Sequence, residues 1–311
     1  MTNNKVFRTI DEQIEILKSK NLIINNEDYA KTVLLRENYF FLNGYRHIFL
    51  KKDLSRKFIN GSTFEELYAL FCFDRRFRNI IFKNLLIVEN NYKSIFSYAV
   101  SKHYGYKEKD YLNVNNFTND KSRSRQVNDL IRKLKRQIRI NGKQHTATSH
   151  YLNNYGYVPM WIGVKVLSFG IVSEMFSILK QEDKNAIAEF YKIDPEILEI
   201  YLPILANYRN LCAHEDILFD HFTQRYIPDS KYHNLLNISK TNGEYIYGKN
   251  DIFALIIILK QLLTKDDFKM MMNEINYEIE YLDGEIHSVE IIDILDKMGF
   301  PLNYKDISYI E

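Results

Sequence analysis

The chain has 311 residues, a formal net charge of +2 and 46% hydrophobic residues, with 23 Tyr and 20 Phe among them. That composition excludes a disordered or collagen-like chain, and the near balance of charge confines any nucleic-acid surface to a local patch. Two cysteines, Cys72 and Cys212, exclude a disulfide framework or a cysteine metal cluster and point to a reducing compartment.

With 5 Pro and 11 Gly, long helices are favoured over many-turned β structure. The first residues, Met1 to Thr9, are polar and lack a signal-peptide core. The longest apolar run, Ile252 to Leu259, is too short to span a bilayer. The expectation is a soluble, cytoplasmic, all-α protein that needs no membrane.

Thr9 and Glu12 have the spacing of a capping box, opening a helix to about Lys20, and Asn26 caps a second to about Asn38. Tyr39, Phe40, Phe41, Leu42 and Tyr45, with Gly44 as a break, suggest an aromatic core corner. Thr63 and Glu66 form another capping box, and a long helix follows to about His103, stopped at Gly105. Leu67, Leu70, Phe77, Ile81, Val88, Tyr92, Ile95 and Ala99 give it the stripe of a bundle helix. On the same helix Asp74 and Arg78 are spaced to pair, and Arg78 and Glu89 share a face. These three are an ordinary salt-bridged face or the polar wall of a cleft.

Tyr111 to Asn119 reads as an irregular connection. Residues 121–143 then carry nine Lys and Arg against the single acid Asp129. Arg125, Arg132, Arg136 and Arg139 recur at intervals of seven, four and three, which aligns them on one helix face suited to phosphate. Pro159 suits a first helical turn, with Trp161, Val164, Leu167, Val172, Met175, Phe176 and Leu179 as apolar positions. Ser168-Phe169-Gly170 interrupts them, where a close helix contact is expected. Asp194-Pro195 opens a helix whose buried stripe runs from Ile197 to Leu211, with Pro203 expected to kink or divide it. A short hairpin is expected at Glu244 to Tyr247 after Asn242-Gly243. Helices from Thr264 to Leu282 and from Ser288 to Met298 complete the chain. The stretch from Asp266 on holds 12 acids against 3 Lys.

The chemistry concentrates in Arg209-Asn210-Leu211-Cys212-Ala213-His214, at the end of the Ile197–Leu211 stripe. An arginine presents a planar fork of donors to a phosphate, and a histidine moves protons near neutral pH. The spacing alone is weak. Arg139 and His145 form a similar pair with one more residue between them, at an expected Gly142 loop.

The motifs taken together resemble the Abi-like family of bacterial abortive-infection proteins, within the HEPN superfamily of α-helical ribonucleases. The resemblance rests on Thr9 to Gln13, Asn38-Tyr39 to Gly44-Tyr45, Gly61 to Phe64 leading to Phe73-Asp74-Arg75, and Pro159-Met160-Trp161. It continues through Ser168-Phe169-Gly170 with Ser173, Arg209 to His214, and Met298-Gly299-Phe300-Pro301. It implies a HEPN-type helical core over 61–225 with a basic insert at 121–143. An N-terminal helical region (1–60) and an acidic C-terminal helical region (226–311) flank it. It further implies antiphage defence, RNA cleavage dependent on Arg209 and His214 with Asn210 as a polar partner, and, in some relatives, a small structured RNA. Where the family often has a basic residue soon after the histidine, this chain has Glu215-Asp216-Ile217-Leu218.

Cleavage by 2′-hydroxyl attack needs a base, an acid and charge stabilisation on the phosphorane. His214 supplies proton transfer and Arg209 the charge, with no metal or cofactor. The two lie about 140° apart on an ideal helix, so the helix must end or distort before His214. One histidine does not easily act as both acid and base, so a homodimer with a composite cleft is expected. Two other readings remain open: a non-cleaving RNA-binding protein, and an interaction protein docking through its acidic C-terminal block.

Overall fold

A computed structural model describes residues 6–310 apart from the side chain of Asn141; Met1 to Lys5 and Glu311 lie outside the described residues. The polar N-terminal stretch is therefore covered only from Val6. The all-α class is what the chain adopts. Among the described residues the one sheet is a hairpin, Lys240–Thr241 against Glu244–Tyr245. Asn242 and Gly243 turn it at φ 54° and 87°, both left-handed, as a two-residue loop of this hand demands.

Three helices come first: α1 (Ile10–Ser19), α2 (Glu27–Glu37) and α3 (Tyr39–Gly44). Thr9 and Glu12 close the expected capping box on α1, and Asn26 caps α2 through the Tyr29 N–H. The aromatic corner divides. Leu42 and Tyr45 enter the core, but Phe40 and Phe41 are 73% and 57% exposed. Gly44 does not break the chain; it ends α3 where a Cβ would stand 2.5 Å from Ile217 Cδ1.

The spine is α4 (Phe64–Tyr104), 41 residues from the Thr63–Glu66 capping box to Gly105. At 1.5 Å per residue it is roughly 60 Å long. Its stripe is buried as expected from Leu67 to Tyr92, while Ile95 and Ala99 are half-buried and Phe96 and Val100 take the core places. Each fully buried Phe contributes about 1.5–3 kcal/mol through removal of apolar surface from water.

Next come α5 (Glu108–Tyr111), α6 (Ser124–Gln144) and α7 (Thr146–Tyr155). The basic stretch is thus one helix on which Val127, Leu130, Leu134 and Ile138 are buried. Gly142 is not in a loop but inside α6, where a Cβ would meet Thr148 Cγ2 at 2.6 Å, so glycine permits α7 to fold back against it. His145 caps α7, accepting from the Thr148 N–H.

The stretch after Pro159 is not one helix. It is α8 (Met160–Gly163), a 3₁₀ turn (Val164–Val166) and α9 (Phe169–Ile178). Ser168 caps α9, so the interruption is a helix start; a Cβ on Gly170 would meet nothing within 4 Å. Trp161, expected in the core, is 44% exposed. Two helices follow, α10 (Gln181–Ala188) and α11 (Pro195–Ala213), the latter running undivided through Pro203.

The C-terminal part holds α12 (Lys231–Leu235), α13 (Ile252–Leu262), α14 (Lys265–Glu285) and α15 (Ile291–Met298). Residues Ile252 to Leu259 of α13 are all buried. Thr264 caps α14 as expected. Ser288 does not cap α15; its N–H and that of His287 donate to the Glu66 carboxylate, both at 2.6 Å, tying this segment to the start of α4. Part of the acidic block is spent within the fold, since Glu278 pairs with Arg76 at 2.6 Å and Glu274 with Lys83 at 2.7 Å. One contiguous hydrophobic cluster reaches from Ile14 to Ile307. Among the described residues no helix is long and apolar enough to cross a membrane.

Candidate functional site

The Arg209–His214 motif closes α11. Pro195 at the first position and the buried Leu198, Tyr201, Ile204, Leu205, Tyr208 and Leu211 set the helix against α4 and α9. The helix stops at Ala213, and His214 is its C-cap. The His214 N–H reaches the Asn210 carbonyl at 3.0 Å, Glu215 N–H the Cys212 carbonyl at 3.3 Å, and Asp216 N–H the Leu211 carbonyl at 3.2 Å. This is a Schellman termination with Glu215, φ 58°, where glycine is usual. The left-handed residue costs about 1–2 kcal/mol.

Asp74 and Arg78 hold that turn in place. Arg78 donates to the Asp216 carbonyl at 3.0 Å and to Asp74 at 2.7 Å. The Asp74 carboxylate also accepts from the N–H groups of Leu218 (3.1 Å) and Phe219 (2.7 Å) and from the Tyr45 hydroxyl (2.7 Å). Burial pushes the Asp74 carboxyl above its usual range, and these four donors oppose it. Phe219 carries the rings of Tyr45 and His47 at 5.7 and 5.4 Å. Asp74 and Arg78 thus position the segment after His214, and only Arg78 lines the adjoining cavity.

Glu89 serves Arg209 directly. Its Oε2 accepts from Arg209 Nε at 3.2 Å, its Oε1 from Lys93 Nζ at 2.6 Å, and Lys93 donates onward to the Leu167 carbonyl at 2.7 Å. The guanidinium lies 5.9 Å from the Phe82 ring centre and its side chain is 33% exposed. Asn210 and His214 are exposed, and among the described residues neither side chain has a hydrogen-bond partner. Cys212 is buried, which pushes its thiol up to about 12 and removes it as a nucleophile.

No hydrogen bond or ion pair joins Arg209 to His214 among the described residues. His214 instead borders a cavity of about 930 Å³ between α2, α3 and the α11 terminus, which Arg209 does not line. Its walls include Arg36, Phe40, Phe41, Arg46 and His47, with the acids Glu37, Glu215 and Asp216. Glu37 is neutralised by a two-pronged pair with Arg75 at 2.6 and 3.2 Å. These wall residues were missed because aromatic side chains in a short run are usually core. The alternation of Arg and His with Phe over 36–47 was the available signal.

The basic face of α6 forms as expected, with Arg125, Arg132, Arg136 and Arg139 all exposed. Arg125 and Arg132 share Asp129, Arg139 approaches Glu108 at 3.7 Å, and Arg136 has no ion-pair partner among the described residues. Arg123 is committed elsewhere, to the Ser177 carbonyl at 2.7 Å. No metal site was expected, yet among the described residues one set of side chains has ligand spacing: His103, Glu182 and Asp183, from the end of α4 and the start of α10. The sequence hides it because the histidine lies far along the chain from the two acids. Both Asp183 oxygens are already engaged, by His103 at 2.6 Å and the Tyr104 hydroxyl at 2.5 Å.

No curated protein and no solved structure matches the chain. A family model described as Abi-like protein matches residues 32–220, which takes in α3, all of α4, the basic helix, the Arg209–His214 motif and the segment pinned by Asp74. With more than half of its length matched, the chain belongs to the Abi-like protein family.

Proposed function

We propose that this chain is an abortive-infection protein acting as a metal-independent endoribonuclease of the HEPN type. The observation that carries the reading is the end of α11, where an exposed histidine without a side-chain partner among the described residues follows a carboxylate-anchored arginine. His214 of one copy takes the proton from the 2′-hydroxyl as the base, and His214 of the second copy gives a proton to the leaving oxygen as the acid. Arg209 meets the charge developing on the phosphate. Glu89 takes only Nε, which leaves the terminal nitrogens without a partner among the described residues and available to a phosphate. Asn210, on the same exposed turn, orients either group. The cavity walled by Arg36, Arg46, Phe40 and Phe41 admits the strand beside His214, and the α6 arginines hold its flanking phosphates.

Since one imidazole does not easily act as both acid and base, the catalytic cleft in this reading is composite. Two copies meet at the α11 termini, each supplying an imidazole. The ribonuclease core spans 61–225 with the insert at 121–143, and a structured RNA is a candidate partner of the basic face.

The test is cleavage by the purified protein with and without His214→Ala. Wild-type protein should cut RNA in EDTA, leave 2′,3′-cyclic phosphate ends and spare all-deoxy strands, while the variant should be inactive with an unchanged melting temperature. Equal turnover by the two would sink the assignment. That Arg209 does not line the cavity bordered by His214 favours one second reading, a non-cleaving RNA-binding protein in which both residues only hold phosphate. RNA binding with no turnover by either protein would select it.

A further inference from the structure

The Pro159-Met160-Trp161 motif has no part in the chemistry at α11, yet the structure turns its tryptophan outward. Trp161, on α8, borders a cavity of about 460 Å³ against the C-terminal half of α4. That volume is within the ~300–1,000 Å³ of small-ligand pockets. Ser94, Ser97 and Ser101 line it from α4, together with Tyr98, Lys102 and Tyr106, and none of the lining residues is acidic. The rings are open to solvent: Tyr98 60%, Tyr106 42% and Trp161 44% exposed. Tyr106 and Trp161 lie 5.8 Å apart at 34°, so they form a shallow curved face rather than closing on each other.

Two observations choose the ligand. The first is charge. Lys102 stands at the cavity, and Lys107 reaches over the rings of Tyr106 and Tyr157 at 5.9 and 5.1 Å. A cationic ligand is repelled here, and a planar ligand bearing phosphate is attracted. The second is unspent hydrogen-bonding capacity. The Ser101 hydroxyl is shielded from solvent with no hydrogen-bond partner, and among the described residues the Trp161 indole N–H has none either. An aromatic face, a cation beside it and a free indole N–H at the edge are what an unpaired nucleobase needs.

The site also continues the basic face of α6. Arg139 approaches the Glu108 carboxylate at 3.7 Å, the same group that accepts the Val158 N–H at 3.3 Å, directly beside Lys107 and Tyr157. We propose that the Trp161–Tyr106 cavity is a binding site for an unpaired base of single-stranded RNA whose backbone runs along α6. A paired base keeps its faces within the stack, so duplex RNA is excluded.

Trp161 is the only tryptophan in the chain, so emission from the intact protein reports this site alone. The probe is a short all-2′-O-methyl oligoadenylate, which lacks the hydroxyl that cleavage needs. It should quench Trp161 emission to saturation, whereas the duplex and inorganic polyphosphate should not. Tyr106→Ala should weaken the titration roughly 5- to 100-fold, the loss of one stacking partner, with an unchanged melting temperature. Lys102→Gln, which leaves every ring in place, should weaken it with a flatter salt dependence. Binding seen by anisotropy without any change in Trp161 emission would overturn the proposal. So would equal quenching by polyphosphate, or quenching by anionic vesicles and not by the oligonucleotide. No step requires cleavage, so an inactive His214 leaves this proposal standing, and a silent Trp161 leaves the ribonuclease reading standing.

Discussion

Asp74→Asn is the substitution through which the site's geometry can be tested without touching RNA. The carboxylate is fully buried, and Arg78 beside it is 4% exposed. It accepts four donors: Tyr45 Oη, an Arg78 nitrogen, and the N–H groups of Leu218 and Phe219. An amide of the same shape keeps one acceptor and turns an NH₂ toward groups that are themselves donors. It also leaves the Arg78 charge buried without a counter-ion. Breaking one partner of a buried pair costs about 3–5 kcal/mol. At about 2 °C per kcal/mol for a chain of this size, the melting temperature should fall by about 6–10 °C. Cleavage measured well below both melting points should fall as well, because residues 216–219 lose the anchor that orients the turn after His214. Asp129→Asn is the control: it breaks only exposed pairs with Arg125 and Arg132 and should change stability by less than about 1 kcal/mol. A loss under about 2 °C for Asp74→Asn, with cleavage intact, would refute the claim that this carboxylate holds the site.

The α6 face should set affinity and not chemistry. Replacing Arg132 and Arg136 with Gln should lower RNA affinity and flatten its log–log salt dependence by about 1–2 units, at about 0.7 per single-strand contact; an unchanged slope would make the face mere solvated surface. His47 should make stability depend on pH. Asp220 at 2.9 Å holds its imidazole above the usual value, helped by the Gly44 carbonyl, while burial and Lys297 oppose. A raised folded value means that the contribution is complete below the ordinary histidine range and is lost as pH rises through the folded value. The melting temperature of wild type should therefore drop between about pH 6 and 8 more than that of His47→Gln. Glu215→Gly should stabilise the protein by about 1 kcal/mol, since glycine enters the left-handed region without a Cβ penalty; a destabilised variant would show that the Glu215 side chain contributes more than its backbone strain costs.

The parts of this fold legible in the sequence are those set by local chemistry. Thr9, Asn26, Thr63 and Thr264 cap helices because a side-chain oxygen three residues before a free N–H suffices, whatever packs nearby. The stripe of α4 and the alignment of the α6 arginines follow from helical periodicity alone. What failed depended on tertiary neighbours. Phe40, Phe41 and Trp161 have core-like side chains, and only the completed fold decides that they face solvent. Gly142 and Gly44 looked like punctuation, but each is a place where another segment comes within contact of a missing Cβ. At the site, the exposure of His214 was foreseeable from a helix that had to end. The Glu89 anchor was half visible as a shared face with Arg78. The cavity beside His214 was not visible, since it joins α2 and α3 to a turn about 170 residues away in sequence.

The length of α4 makes it a ruler. Glu89, which fixes Arg209, and Tyr98, at the tryptophan cavity, lie nine residues apart on this one helix. Along the axis that is about 14 Å, and hydrogen bonds within an uninterrupted helix keep it from changing. Nine residues at about 100° each also place Glu89 and Tyr98 on opposite sides of the helix, so a strand stacked at about 3.4 Å per nucleotide needs more than about four nucleotides to join the two places. A stacked RNA shorter than that can occupy either site but not both. Cutting at α11 and base capture at Trp161 would therefore share one strand only above a minimum length, with the cut at least that many nucleotides from the captured base.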